Sequence, residues 1–406
     1  MRKRFTPGTL LPLALLIFFA FPYTQVVAIE AYTQPYAIVL SAIVLALHPQ
    51  GFRQLPRTDK AVLTYLLGLG VVLVLWEIPQ GLDLREIAYF LSYATPLLTT
   101  AAAFWAIQRH GLLANRVIGF AILAWFAVSL VQRFVDPSFL TQFVTTNEEL
   151  GENIVASGRG VIGLAPEPTH NAFHVLMLGA CLAYLRGPLW LIGLSFFTAI
   201  VLAGSASALL AIALGAMVWG LKRPAKRFWI FVPAAAGPII AQIVAGFFSA
   251  DSRVGSLLLR IQNFDLSEVM LDYSVNARLS GAIMPIYYSF ERFLLPHGIS
   301  LRAWYAARLD ILTEHLWVVD LSGAGPASGH GLFIFQAGIF ALPLLIYLIQ
   351  RLIFKSGGGL FEMYGILVFM IFLGQLYFAT PMFGLFLALV IFRSQQSRKR
   401  TKIALR

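Results

Sequence analysis

The residues with the greatest capacity for chemistry lie in one segment, 157–174, which reads SGRGVIGLAPEPTHNAFH. Glycines surround Arg159, two prolines flank Glu167, and His170 and His174 follow at the start of an apolar stretch. Proline is favoured in the first turn of a helix, so a helix is predicted to begin directly after Glu167. Residues four apart share a helix face, so both imidazoles are expected on one side. An arginine, a carboxylate and two imidazoles would then meet at one helix N-terminus.

This segment allows two other interpretations. In the first, Glu167 only caps the helix dipole, Arg159 is solvated and the histidines lie at an interface. In the second, Glu167, His170 and His174 bind a metal, as carboxylates and histidines do in zinc hydrolases. The HExxH run that is typical of those enzymes is absent, and Glu167 stands before a proline. These two features make a metal site the less favoured interpretation of the segment.

Three arginines of a later segment suggest that the protein binds an anion. Arg253, Arg260 and Arg278 are spread over a stretch that is not strongly basic overall. Arginine holds phosphate oxygens well because its guanidinium is planar and always charged. Ordinary ion pairs are the alternative for Arg253 and Arg260, which have acidic neighbours. The immediate neighbours of Arg278 are uncharged (SVNARLSGA), so anion binding is predicted most strongly there.

Two further features would lie near these residues. The turn 204–207 (GSAS) consists of small residues, which let helices approach closely, and helix packing is its simplest role. The run 322–331 (SGAGPASGHG) ends in a histidine, His330, at the mouth of an apolar stretch. His330 could orient a hydroxyl group or act as a base, although a single histidine at such a boundary is more often structural.

Composition determines which elements must position these residues. Apolar residues make up 59% of the 406-residue chain, charged residues only 12%, and the mean hydropathy is +0.77. Soluble domains carry about 25% charged residues, so most of this surface must face lipid. The net charge of +11 comes from small basic groups between apolar runs, without a nucleic-acid-binding motif. The lone Cys181 excludes a disulfide within the chain.

The apolar runs are of the kind that cross a bilayer as helices. The first run starts after basic residues, but Pro22 and Tyr23 offer no small-residue cleavage site, which favours a retained span over a signal peptide. We predict about twelve spans, at approximately 9–28, 33–48, 61–77, 86–107, 113–132, 171–185, 188–203, 206–220, 228–249, 330–350, 360–376 and 380–393.

The distribution of charge predicts the orientation of these spans. When the spans alternate from a cytoplasmic N-terminus, most of the 30 Lys and Arg residues lie inside, and the acids that lie inside are Asp59 and Glu362. Cytoplasmic loops are enriched in Lys and Arg, so both termini are predicted to be cytoplasmic. Two long outer loops remain, at about 134–170 and 250–329, and long loops are usually functional. The prediction is an all-α integral membrane protein that forms one polytopic domain, 1–406.

The second outer loop contains a further predicted helix, at 282–295 (AIMPIYYSFERFLL). Its aromatic residues, among them Tyr287, Phe290 and Phe293, suit the headgroup level of a bilayer. A helix that caps the bundle is an equally valid interpretation, because periodicity does not separate the two.

Taken in order, these motifs resemble those of the bacterial O-antigen polymerase and O-antigen ligase superfamily. GRGVIGLAPEP looks like the family's Arg–Gly–Leu–Glu-Pro stretch, and GSAS is similar to its serine-rich turn. SVNARLSGAIMPIYYSFERFLLPHG resembles the family's loop arginine with a trailing Pro-x-Gly, and GHGLFIFQAGIFALPLLIYLI looks like the His and Gly of a late span. The resemblance covers roughly residues 157–350 and rests on Arg159, Gly163, Glu167, Arg278, Gly298, His330 and Gly338.

The resemblance implies a multi-span enzyme that acts on undecaprenyl-diphosphate-linked glycans at the outer face of the bacterial inner membrane. It implies a lipid-linked oligosaccharide substrate, contact with membrane lipids and a chain-length regulator protein, and no nucleic acid. No cofactor or metal is expected, because a nucleotide-binding loop and an Asp-x-Asp motif are absent. The expected diphosphate-binding residues are Arg159, Arg278, Arg253 and Arg260, and the expected catalytic residues are Glu167, His170 and His330.

Departures from the ligase pattern favour the polymerase branch. His330 is followed by Gly331, Gly338 comes sooner after it than in ligases, and Ala208 stands where an arginine is usual. A ligase that transfers glycan to lipid A core remains the first alternative. A lipid-linked-glycan flippase is another, although the midspan segments are almost uncharged and no duplicated half is evident. An intramembrane metalloprotease and a non-enzymatic assembly factor are the other classes considered.

Overall fold

The structure, a computed structural model, is built from helices. It describes residues 9–25, 33–81, 84–144, 150–156, 160–223, 259, 273–321, 326–374 and 376–404. Helix makes up 78% of it, and these ranges contain no strand. The predicted all-α fold class is confirmed for this part of the chain.

The helices follow the apolar runs of the sequence. They are α1 Leu10–Ala20, α2 Tyr36–Leu47, α3 Gln50–Arg53, α4 Arg57–Glu77, α5 Leu84–Phe134, α6 Leu150–Ala156, α7 Pro168–Tyr184, α8 Leu189–Phe197, α9 Ala206–Leu221, α10 Tyr273–Glu291, α11 Leu301–Glu314, α12 Gly329–Ala337, α13 Leu342–Leu348, α14 Leu360–Leu373 and α15 Pro381–Ala404. Short 3-10 or π segments occur at Ile78–Gln80, Thr141–Phe143, Thr198–Leu202, Gly338–Ala341 and Ile349–Phe354. Every predicted run in the described ranges overlaps a helix, and the run at 228–249 lies outside them.

Some of these helices are long and apolar enough to cross a membrane, namely Arg57–Glu77, Tyr89–Phe134 and Gly329–Phe354. The runs predicted separately at 86–107 and 113–132 form the one long element α5, which is kinked at His110 (φ −132°, ψ 38°). The prediction of two spans joined by a loop is therefore modified to two helices joined by a kink. The count of twelve spans stays a prediction.

Helix α7 is enclosed by the rest of the bundle. Within it, every residue is buried except His170, which is partly exposed. It packs against α5, α8, α9, α14 and α15. A helix that is buried all round needs apolar residues on every face, and the stretch VLMLGACLAY supplies them. The residues at the N-terminus of α7 are therefore held in a fixed position.

A buried ion pair joins α4 to the Gly329–Phe354 helix. Asp59 has no exposed surface, and Arg351 donates to both of its carboxylate oxygens, with Nε 2.7 Å from Oδ1. Tyr347 Oη donates to Oδ1 at 2.5 Å. Removing one partner of such a pair would leave an uncompensated charge inside the protein.

Glu362, at the start of α14, is paired as well. Lys222 and Arg223 both donate to its carboxylate, and the Arg223 Nη2 to Glu362 Oε2 distance is 2.7 Å. Trp219 Nε1 donates to Gly359 O at 3.2 Å nearby. Both acids predicted on the cytoplasmic side, Asp59 and Glu362, thus lie against cations predicted on the same side.

Helix α10 runs alongside α12 in the same direction. At its middle, Gly281 O accepts the Ala327 N–H at 3.1 Å, and beyond its end Leu294 O accepts the Ile339 N–H at 2.8 Å. The two contacts are separated by nearly the same number of residues in each segment. The chain from Gly281 to Leu294 therefore lies beside the first part of the Gly329–Phe354 helix.

The predicted helix at 282–295 is confirmed as far as Glu291, where α10 ends. One face, with Met284 and Tyr288, is buried in an apolar cluster with residues of α11. The other face exposes Ile283, Tyr287 and Phe290. The helix therefore both packs on the bundle and presents an aromatic surface.

Candidate functional site

Glu167 and His170 form a pair at the start of α7. Glu167 is the N-cap residue, its backbone is extended (φ −146°, ψ 154°), and its side chain makes no capping hydrogen bond. Glu167 Oε2 lies 3.9 Å from His170 Nδ1, and the exposed fractions of the two side chains are 38% and 16%. The carboxylate is therefore directed to the imidazole rather than to the N–H groups of the helix.

Arg278, on α10, approaches this pair. Its Nη1 donates to Ser207 Oγ at 3.4 Å. Burial lowers the pKa of His170, the charge of Glu167 raises it, and the charge of Arg278 lowers it. Glu167 and Arg278 therefore act on this imidazole with opposite electrostatic effects. We call Glu167, His170, Ser207 and Arg278 the Arg278 cluster; it joins α7, α9 and α10.

The loop that leads into α7 is held by amide side chains. Gln132 Nε2 donates to Gly163 O at 2.9 Å, and Gln132 Oε1 accepts the Gly163 N–H at 2.7 Å. Asn171 Nδ2 donates to Val161 O at 3.1 Å. Side chains of α5 and α7 thus fix the backbone of the loop at Gly163 and at Val161.

The same loop lies against the turn 204–207. The Val161 N–H donates to Leu202 O at 3.1 Å, and a Cβ on Gly160 would lie 1.9 Å from Ala203 O. Two motifs that were singled out separately in the sequence are therefore neighbours. Ser207 of the turn then brings in Arg278, the third motif.

Replacing Gly163 with alanine is expected to destabilise the protein. Gly163 has a left-handed φ of +61°, and an added Cβ would lie 2.6 Å from Asn171 Nδ2. The strain should cost on the order of 1–3 kcal/mol, measured as a lower thermal unfolding temperature in detergent. Gly193→Ala on α8 is the matched control, because no atom lies within 4 Å of its added Cβ. Equal unfolding temperatures for the two variants would contradict this account of the loop.

His330 has a different environment. It is buried at the start of α12 between the rings of Phe369 and Phe378, with centroid distances of 4.4 and 5.3 Å. Neither ring nitrogen makes a hydrogen bond of standard geometry to the described residues. The structure therefore brings Glu167, His170 and Arg278 together and encloses His330 among aromatic rings.

His174 serves as a link between helices. Its Nε2 lies 2.8 Å from Ala20 O at the end of α1, and its ring packs on Trp125 with centroids 4.5 Å apart. The metal interpretation needs ligand atoms of Glu167, His170 and His174 to lie within range of one another. Among the described residues, the group of three whose ligand atoms all lie within 4.8 Å of one another is instead Glu291, Glu314 and His315.

Three residues predicted to bind the anion, Arg159, Arg253 and Arg260, lie outside the described residues. Two residues that help to form the site were not predicted as site residues. Ser207 was assigned to helix packing, and Gln132 was not singled out at all. Gln132 is a polar residue within an apolar run, and polar side chains inside spans usually have a partner. Its position could therefore have indicated such a role.

The Arg278 cluster combines groups that suit a transfer reaction. A guanidinium can hold an anionic group, and an imidazole beside a carboxylate can accept a proton. No protein-family model matches the chain, and no curated protein matches its sequence. Its function must therefore be inferred from this chemistry and from the sequence motifs that the cluster unites.

Proposed function

We propose that this chain is a membrane glycosyltransferase of the O-antigen polymerase type. It would join undecaprenyl-diphosphate-linked repeat units at the outer face of the bacterial inner membrane. The observation that carries the proposal is the Arg278 cluster, in which a guanidinium lies near a Glu–His pair. A diphosphate leaving group needs a cation and an acceptor hydroxyl needs a base, and the cluster contains both.

In the proposed reaction, a hydroxyl oxygen of the acceptor sugar attacks the anomeric carbon of the donor glycan. The bond from that carbon to the phosphate oxygen breaks, and its electron pair leaves with the undecaprenyl diphosphate. The hydroxyl proton passes to His170, which burial favours in its neutral form, and Glu167 stabilises the resulting imidazolium. Arg278 stabilises the negative charge that develops on the diphosphate.

Other residues have supporting roles in this proposal. Arg159, Arg253 and Arg260 are further candidate cations for the diphosphate, as the resemblance implies. His330 is a second candidate base. It is buried between the rings of Phe369 and Phe378. A chain-length regulator protein is the proposed partner.

The twelve-span topology with cytoplasmic termini belongs to the same proposal, and the pairing of charges supports it. The pairs on the predicted inner side are Asp59–Arg351 and Glu362 with Lys222 and Arg223, and those on the predicted outer side are Glu167–His170, Arg292–Asp310, Arg308–Asp320 and Glu291–His315. Each pair joins residues predicted on one side. Each outer pair lies within one predicted loop, whereas the inner pairs join different loops, so the inner pairs are the ones that support the assigned directions.

Glycan transfer is expected to be independent of divalent metal. Arg278 supplies positive charge for the leaving group, so a bound cation is not needed for that purpose. The measurement is chain extension by the purified protein in liposomes, with lipid-linked repeat units as substrate, in EDTA and in Mg²⁺. Activity that disappears in EDTA and returns with Mg²⁺ would contradict the proposed mechanism.

The proposed function is tested by profiling surface glycans in a strain that lacks this chain. Single repeat units on lipid A are the result expected for a polymerase. Polymer that accumulates on the lipid carrier would identify a ligase, which uses the same leaving group but a different acceptor. Units retained inside the cell would identify a flippase, and an unchanged profile would reject all three.

A further inference from the structure

The chain turns sharply after α10, at residues 292–296, and presents apolar side chains outward. Phe293 is 89% exposed, and Phe290 and Leu295 are each more than half exposed. Phe293 and Leu294 have left-handed backbones, with φ of 57° and 55°. Bulky residues rarely adopt this conformation, which persists only where the surroundings impose it. The surrounding structure therefore imposes this turn, and the turn directs the Phe293 side chain away from the protein.

The irregular backbone of this turn does not depend on water. Its N–H groups are all donated to carbonyl oxygens of the protein, apart from Pro296, which has none. The acceptors are Tyr288 O for Arg292, Phe290 O for Phe293, Ser289 O for Leu294, Arg292 O for Leu295, Phe335 O for His297 and Gln336 O for Gly298. Non-helical backbone is tolerated at membrane depth only when the protein satisfies its polar groups. The N–H groups of this turn meet that condition, and Arg292 O and Leu294 O also accept hydrogen bonds from the protein.

The tip of the turn is continuous with the apolar surface of a candidate span. The Ile339 N–H donates to Leu294 O at 2.8 Å, and Ile339 belongs to the membrane-length helix Gly329–Phe354. Ile339 and Phe340 are themselves more than half exposed. At 1.5 Å per residue, Ile339 lies roughly 18 Å along the helix from Arg351. If Arg351 marks the cytoplasmic edge of the hydrocarbon core, which is about 30 Å thick, Ile339 lies inside that core.

We infer that residues 290–295 insert into the outer leaflet of the bilayer, with Phe293 among the acyl chains. The two charges of this segment are directed to α11 and the residue that follows it. The Arg292 guanidinium lies 5.3 Å from the centre of the Tyr288 ring and 3.5 Å from Asp310 Oδ2, and Glu291 Oε2 lies 3.8 Å from His315 Nε2. Arg278 lies on α10, the helix that ends at this tip. Insertion of the tip would therefore fix the distance between Arg278 and the membrane surface. This inference goes beyond the proposed reaction and does not require it, but it rests on the proposed orientation of the spans.

The test places an environment-sensitive fluorophore at the tip. Phe293→Cys, in a Cys181→Ala background, is labelled with NBD and reconstituted in phosphatidylethanolamine–phosphatidylglycerol vesicles. Cys181 is fully buried, so the background substitution removes only a slow side reaction. Leu316→Cys is the matched control, because Leu316 is 91% exposed in the segment after α11.

The expected result at residue 293 is a blue-shifted emission, strong quenching by lipids that carry a nitroxide deep in the acyl chain, and protection from iodide. At residue 316, iodide should quench at least several-fold more strongly than at 293. Equal iodide quenching at both positions would overturn the inference. Protection of residue 293 from both quenchers would overturn it too, since a protein rather than lipid would then cover the tip. No glycan substrate is involved, so the result stands whether or not the proposed reaction is correct.

Discussion

Replacing Arg278 with alanine is expected to abolish glycan transfer while the protein stays folded in the membrane. The guanidinium would hold the departing diphosphate, and removing one preorganised donor of this kind lowers a rate by about 10²–10³-fold. The hydrogen bond from Arg278 to Ser207 is only partly buried, so its loss should change stability little. Arg278→Lys keeps the charge without the planar fork, and an intermediate rate is expected.

The measurement is glycan chain length in a deletion strain that expresses each variant, combined with thermal unfolding of the purified proteins. Arg308→Ala is the matched control. Arg308 is also predicted on the outer face, but it pairs with Asp320 at 3.5 Å. Wild-type chain length with Arg278→Ala would remove Arg278 from the site, and lost activity with Arg308→Ala would show that the effect is not specific.

Replacing Asp59 with alanine is expected to produce the largest loss of stability. The carboxylate is fully buried and accepts hydrogen bonds from Arg351 and Tyr347. Without it, the guanidinium of Arg351 stays buried and unpaired, which typically costs about 3–5 kcal/mol. The measurement is the unfolding temperature in detergent, together with the amount of folded protein recovered from membranes.

Two further variants test whether the loss of stability comes from breaking the Asp59–Arg351 pair. Asp310→Asn removes a carboxylate from an exposed pair with Arg292, and such pairs contribute about 0–1 kcal/mol. The double variant Asp59→Leu/Arg351→Met should recover most of the lost stability, because apolar residues can replace a buried ion pair at little cost. If the double variant is as unstable as Asp59→Ala, lost packing rather than an unpaired charge explains the effect.

The sequence predicted the elements of the fold well and their connections less well. The start of α7 at Pro168 followed from the proline pattern around Glu167. The continuity of α5 through His110 did not, because the polar stretch there, QRHGLLANR, reads equally well as a loop. Whether a polar stretch kinks a helix or opens into a loop depends on how the two halves pack. That information lies in the neighbouring helices.

The candidate site was predictable only within its local segments. The Glu167–His170 pair followed from residue spacing on one helix. The contact between Arg278 and Ser207 joins residues 71 positions apart, and no local pattern encodes such a distance. His174 shares the helical spacing of His170, yet it lies one turn further into the bundle and meets Ala20 instead. Depth in the bundle, rather than residue type, separates the roles of these two histidines.

The pair of Asp59 and Arg351 also constrains how the protein is made. Its partners are 292 positions apart. At 5–20 residues per second, the ribosome needs on the order of 15–60 s to synthesise the chain between them. Throughout that interval Asp59 lacks Arg351 as a partner. The pair therefore closes only after residue 351 has been made, which makes it a late step in the assembly of the helices.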